Sequence, residues 1–189
     1  MTSRDNPLLP PRTRRGGEAT EQPEQVVYLS LGSNIEPEKN LARAVSLLRL
    51  KCNVIAVSSV YRTAPQGFSE QPDFLNMAVQ ITTPLSPESL KTQVLDWIER
   101  ELGRRRDPLN KNAPRTIDLD ISLWGDEVFE YGSKPWRVPD PDIARFAHVA
   151  IPLAELAPDF VHPVEGATLA EIAERFDQSG IERLERPVS

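Results

Sequence analysis

The sequence predicts an α+β domain built on an antiparallel sheet with two helices on one of its faces. Three observations predict it. Short β-rich runs and two stripes of 3.6-residue periodicity follow one another in the order β-α-β-β-α-β. The best-defined strand, Ile117 to Ile121, alternates apolar with acidic residues, the pattern of a sheet with one buried and one wet face. The chain has 189 residues, enough for one real core and hardly enough for two.

Taken in order, residues 1–25 are rich in Pro, Arg, Gly and Glu and lack an apolar segment, so they read as a disordered arm and not as a secretory leader. Val26 to Leu31 is the first strand and breaks at Gly32-Ser33-Asn34, read as a structural turn. A helix follows from about Pro37, with Leu41, Ala44, Val45 and Leu48 as its apolar stripe. Asn53 to Tyr61 is a second strand. A long loop, Arg62 to Phe74, precedes a third strand from Asn76 to Thr83. Ser86 caps a second helix with Pro87 in its first turn; Leu90, Val94, Trp97, Ile98 and Leu102 form its apolar face and Gly103 stops it. A basic loop leads to the acidic strand, which runs to Trp124. Gly125-Asp126 then turns into a return strand at Val128 and Phe129. This order is that of ferredoxin-like folds, with the second sheet face left for chemistry. An apolar run from Val149 to Leu156 and a short helix from about Thr168 to Phe176 complete a single domain over residues 26–176. Residues 177–189 read as a frayed end.

Net charge is −6 and the pI about 5.1, which argues against a general nucleic-acid or anionic-membrane binder. No apolar run approaches the roughly 20 residues of a membrane span. A single cysteine, Cys52, permits no internal disulfide and fits a cytoplasmic protein.

Residues at i and i+2 of a strand share a face, so Asp118 and Asp120 stand as two parallel carboxylates, a donor pair suited to Mg²⁺. The same alternation describes an ordinary strand whose acids face water. The preceding loop favours the metal reading: Arg104, Arg105, Arg106, Lys111 and Arg115 put five cations within twelve residues. Arginine forks clamp phosphate oxygens, and a divalent ion neutralises the rest. The loop around Phe74 and Asn76 mixes rings with amides and hydroxyls, as a flat heterocycle requires. His148 and His162 are isolated, with no metal-ligand spacing.

Leu31-Gly32-Ser33-Asn34, Ser59-Val60-Tyr61-Arg62-Thr63, Gln71-Pro72-Asp73-Phe74-Leu75-Asn76, Leu102-Gly103-Arg104 and Pro114-Arg115-Thr116-Ile117-Asp118-Leu119-Asp120-Ile121 resemble, in order and spacing, the motifs of 6-hydroxymethyl-7,8-dihydropterin pyrophosphokinases. The resemblance spans about residues 26 to 165. It implies attack of a pterin hydroxymethyl group on the β-phosphorus of ATP with release of AMP, in folate biosynthesis. It also implies two Mg²⁺ ions on Asp118 and Asp120, with Arg104 and Arg115 acting on the transferring phosphates. Glu99, Arg106, Arg115 and Ile121 match nucleotide-side positions. Thr63, Ala64, Gln66, Phe74 and Asn76 match the pterin pocket, with Asn76 reading the polar edge and Phe74 stacking on the ring.

The sequence departs from the family pattern in places. A usual Trp-Gly is Asn112-Ala113, a usual Pro-His-Pro is Pro139-Asp140-Pro141, an expected Arg is Phe146, and an expected Phe is His148, whose flat imidazole serves as a substrate contact. A paralogue acting on a related heterocyclic alcohol, or an inactive ferredoxin-like nucleotide-binding module, are the alternatives. The expected partners are small molecules only, and the expected state is a monomer.

Overall fold

The computed structural model describes residues 24–65, 71–105 and 114–184. The expected arm therefore lies, up to residue 23, outside the described residues, and Gln25 already belongs to the first strand.

The central strand β1, Gln25–Ser33, pairs antiparallel with β4, Phe74–Thr83, along its whole length. On its other side it pairs with β5, Asp118–Trp124. β2, Asn53–Val57, and β3, Val60–Thr63, share the far edge of β4. The expected strand from Asn53 to Tyr61 is thus two strands. The break falls at Ser58, whose main chain and hydroxyl both bond the backbone of Ala78. The antiparallel order β5-β1-β4-β3 is that of the predicted ferredoxin-like sheet.

One sheet face carries the main core. Val27, Leu29 and Leu31 of β1, Met77, Val79 and Ile81 of β4, and Leu119 and Ile121 of β5 pack on the stripe of α1, Pro37–Lys51, namely Leu41, Ala44, Val45 and Leu48. The second helix packs beside α1. It runs without a break over 87–101 as α2, Pro87–Ser89, then a π-helical stretch, Leu90–Leu95, then α3, Asp96–Glu101. Ser86 caps it, its hydroxyl accepting from Ser89 N at 3.2 Å. Gly103, with φ +72°, ends it.

The second face is not left open as expected. Tyr28, Ala78 and Leu123 pack there on Val149, Ala150 and Leu153 of α4, Ala147–Leu156, and on Leu169 and Ile172 of α5, Leu169–Glu174. The apolar run at Val149 needed a partner, and this face supplies it. The end of the sheet holding Ser30, Gly32, Asn76, Asp118 and Asp120 faces a cleft.

Two further expectations need correction. Phe129 does not return along β5: β6, Phe129–Tyr131, pairs with β7, Trp136–Val138, where the rings of Tyr131 and Trp136 stack at 5.6 Å. The chain also stays ordered beyond residue 176. β8, Ile181–Leu184, pairs with β3 and gives that edge a partner, with Arg183 bonding Ser59 and Glu155.

Candidate functional site

Strand register builds the cleft floor. Gly32 lies between Asn76 of β4 and Asp118 of β5, and Ser30 lies between Ala78 and Asp120. With a period of two, the even-numbered residues of these rows share one face. A β-bulge in β5 sits where the pairing shifts between Tyr28 and Leu29. It ends the acid row and lets Leu123 join the hydrophobic cluster under α4, while Ser122 O accepts the Asp140 amide at 2.9 Å.

The two carboxylates differ in surroundings. Asp118 meets Arg115 Nη1 at 2.5 Å and Arg104 Nη2 at 3.4 Å, and its side chain is 23% exposed. Asp120 is 46% exposed and meets Lys91 Nζ at 3.2 Å. Both open on the cleft, though Asp118 is more covered than a plain wet strand face would be. Arg104 also donates to Ile117 O at 3.1 Å, which ties the end of the helical run 87–101 to the start of β5.

The Gly32-Ser33-Asn34 turn is a clasp. Asn34 Oδ1 accepts from Arg115 N at 2.7 Å, and Asn34 N donates back to Arg115 O at 3.1 Å. Asn34 Nδ2 donates to Gln71 Oε1 at 3.0 Å and to Pro72 O at 3.3 Å. One buried amide therefore fixes both the arginine that meets Asp118 and the loop that leads to Phe74. The structural reading of this turn holds, and its consequence for the site is direct.

Thr63, Ala64, Phe74 and Asn76 line the same cleft as the two aspartates. Asn76 Nδ2 donates to Thr63 Oγ1 at 2.9 Å. The guanidinium of Arg115 lies 5.6 Å above the Phe74 ring. His148 also lines the cleft and stacks on Phe146, with centroids 5.3 Å apart and planes 22° apart. Burial first, and then the Arg115 charge, hold His148 below its usual 6.5, so a neutral, flat imidazole faces the cleft at pH 7. His162 instead closes a turn, its Nδ1 accepting from Val164 N and Glu165 N.

Other predicted site residues fall elsewhere. Glu99 is 3% exposed and accepts from Leu119 N at 3.2 Å, which places it beside β5 and not among the residues lining the cleft. The reason is that it occupies the inward side of α3. Ile121 turns into the core at 3% exposure, although it also borders a second groove made by Asp120, Tyr131, Trp136 and Arg137. Gln66 and Arg106 lie outside the described residues.

Two further residues stand at this site: Asp140, singled out in the sequence only as a departure from the family pattern, and Lys91, which was not foreseen. Asp140 borders both grooves, and burial, reinforced by Asp120 and Asp142, pushes its carboxyl up to about 7. Its sequence signal was the Pro-Asp-Pro triplet. Lys91 reaches Asp120 from inside the core, and no spacing rule signalled it, because the π-helical turn shifts the helical register by a residue.

The residues suit a hard divalent ion. Both groups are carboxylates on one strand face, and both reach the cleft. Among the described residues no three His, Cys, Asp or Glu side chains converge to hold a metal. A divalent ion on this pair would draw its remaining ligands from water and a ligand's oxygens, the usual mode for Mg²⁺ bound with a polyphosphate. Among the described residues no helix is long and apolar enough to cross a membrane.

A sequence model of 7,8-dihydro-6-hydroxymethylpterin-pyrophosphokinases matches residues 28–158. The chain is 40% identical over 161 residues to the 2-amino-4-hydroxy-6-hydroxymethyldihydropteridine pyrophosphokinase of Methylorubrum extorquens, covering 84% of this chain and 98% of that protein. It is 42% identical over 134 residues to the Bacillus subtilis protein of that name, covering 69% and 77%. It is also 35% identical over 154 residues to the folic acid synthesis protein fol1 of Pneumocystis carinii, covering 80% of this chain but spanning only 20% of that much longer one. In structure it is similar to wild-type Plasmodium falciparum HPPK-DHPS, with a TM-score of 0.63 at 13% identity, over 83% of this chain and 45% of that one. That likeness concerns the fold.

Proposed function

The chain belongs to the 7,8-dihydro-6-hydroxymethylpterin-pyrophosphokinase family, and on that premise we propose that it transfers diphosphate from ATP to the hydroxymethyl group of 6-hydroxymethyl-7,8-dihydropterin in folate biosynthesis. The hydroxymethyl oxygen forms a bond to the β-phosphorus. The bond from that phosphorus to the oxygen bridging the α-phosphate breaks, the hydroxyl proton is released, and AMP leaves. The observation that carries this reading is the meeting, in one cleft, of two strand carboxylates, Arg115 and an amide-and-ring pocket, with Arg104 reaching the first carboxylate beside it.

Asp118 and Asp120 would hold Mg²⁺, two ions in all. Bound there, the metal would supply neutralisation of phosphate charge and activation of the hydroxyl as a nucleophile. The chain's own groups do the rest. Arg115 and Arg104 are paired with Asp118 and would turn to phosphate oxygens when a polyphosphate enters, keeping those charges at short range with little reorganisation. Asn76, braced by Thr63, reads the polar edge of the pterin. Phe74 and His148 both line the cleft and would take the ring, and keeping His148 uncharged suits it to stacking on a heterocycle. The groove beside Tyr131, Trp136 and Arg137 meets the first at Asp120 and Asp140 and takes the nucleotide. The working form is a cytoplasmic monomer.

The test is AMP release with ATP, Mg²⁺ and the pterin alcohol. Turnover supports the reading; none, with the protein folded, rejects it. One wall favours a second reading. Asp140, Phe146 and His148 differ from the family pattern and together line the cleft. They would suit a related heterocyclic alcohol, which the same assay run on a panel of alcohols separates.

A further inference from the structure

Lys91 is a lysine inside the core, 1% exposed, on the π-helical stretch Leu90–Leu95. Its ammonium donates to Leu119 O at 2.7 Å and to Asp120 Oδ1 at 3.2 Å. Asp96 Oδ1 lies at 3.7 Å and Glu99 Oε1 at 4.0 Å. All three acids that face the ammonium belong to α3 or β5, and only Asp120 also opens on the cleft. Burial works against the charge on Lys91, but Asp120, Glu99 and Asp96 outweigh it and hold the amine protonated.

An ammonium that served only to neutralise Asp96 and Glu99 would have no need of Asp120. A regular α-helix places one residue fewer in such a stretch, and π turns, rare overall, are frequent at functional sites. Here the turn aims a long side chain through the sheet edge at the back of a carboxylate.

We propose that Lys91 is a positioning residue for Asp120: it fixes one carboxylate oxygen from behind and weakens the pull of the empty site on a free divalent ion, so that the ion is retained together with a polyphosphate. This deepens the assignment of Asp120 to a metal and rests on it. The electrostatic logic is simple. With Arg104 and Arg115 at Asp118 and Lys91 at Asp120, the two carboxylates already face three cations. A free dication gains little from such a pair. A polyphosphate brings the negative charge that restores the attraction.

The test uses the full chain and two variants, Lys91→Gln and Asp120→Asn, singly and combined. Mn²⁺ binding without nucleotide is read by electron paramagnetic resonance. Turnover is read by AMP release at saturating ATP. Lys91→Gln should bind free Mn²⁺ at least about threefold more tightly, because the nearby positive charge is gone. Its kcat should fall about tenfold with the KM for the pterin alcohol unchanged, because Asp120 is no longer held. In the Asp120→Asn background, Lys91→Gln should change neither quantity further. Unchanged or weaker Mn²⁺ binding by a folded Lys91→Gln, or equal effects in both backgrounds, overturns the proposal. If Asp120→Asn itself keeps Mn²⁺ binding and turnover, the metal assignment fails instead, and the two failures are distinguishable.

If Lys91→Gln does not fold, the ¹⁵N resonance of the buried ammonium in the wild-type chain decides. It should shift when Mg²⁺ and a non-hydrolysable ATP analogue are added together and much less with Mg²⁺ alone. No shift with the pair overturns the proposal.

Discussion

At the scale of single residues, Asp118 and Asp120 are not equivalent. Asp118 is enclosed by two guanidiniums, whereas Asp120 is half open and held from behind. Asp118→Asn keeps the shape but removes a carboxylate that both Arg104 and Arg115 meet, so it should lose stability as well as at least about a hundredfold in turnover. Asp120→Asn should lose turnover with a smaller shift in melting temperature. AMP release and thermal unfolding measured on the same samples check both. Gly32→Ala tests the pocket edge. A Cβ there comes 3.2 Å from Asn76 Oδ1, so Asn76 must shift. The KM for the pterin alcohol should rise about tenfold, the size of one hydrogen bond, with kcat little changed.

At the scale of elements, the clasp at the end of β1 couples two loops. Asn34→Ala removes a buried amide that bonds Gln71, Pro72 and Arg115 at once, and should cost roughly 1–3 kcal/mol in a denaturant titration. Turnover should fall as well, since Arg115 and Phe74 both hang from those loops. The elements with strong periodicity were legible in the sequence. Leu41, Ala44, Val45 and Leu48 define α1, and the alternation of Ile117 to Ile121 defines β5 with its acids on the cleft side. The π turn was not legible, because Leu90, Val94 and Ile98 satisfy an ordinary helical stripe while Lys91 looks like a surface residue beside it. The split of β2 from β3 was also hidden, since Ser58 and Ser59 are unremarkable in a strand. The burial of Glu99 beside Leu119 was not legible either, because a motif position says which residue is present but not which way it faces.

At the scale of the whole molecule, the second sheet face is divided between structure and chemistry. α4 and α5 cover one half, and the cleft keeps the other. Composition could not show that division, since the run at Val149 announces burial without saying against what. The buried titratable groups predict opposing pH effects on stability in the absence of metal. Burial holds His148 and His162 below 6.5, so their contribution is whole above 6.5 and is lost as the pH falls below it. Asp140 is raised from 3.8 to about 7, so its contribution is present below 3.8 and is lost as the pH rises through 7. Asp140→Asn should therefore stabilise the chain at pH 8 more than at pH 5. His148→Phe should be the more helpful substitution at pH 5. Urea midpoints at the two pH values, with EDTA present, check both signs.

The central claim is that the cleft joins a metal-held ATP to a pterin alcohol through Asp118, Asp120, Arg104 and Arg115. AMP release in the presence of ATP, Mg²⁺ and 6-hydroxymethyl-7,8-dihydropterin measures it most directly. Turnover should require all three components and be lost in folded Asp120→Asn. AMP release that persists in that variant, or its absence from the folded wild-type chain, would contradict it.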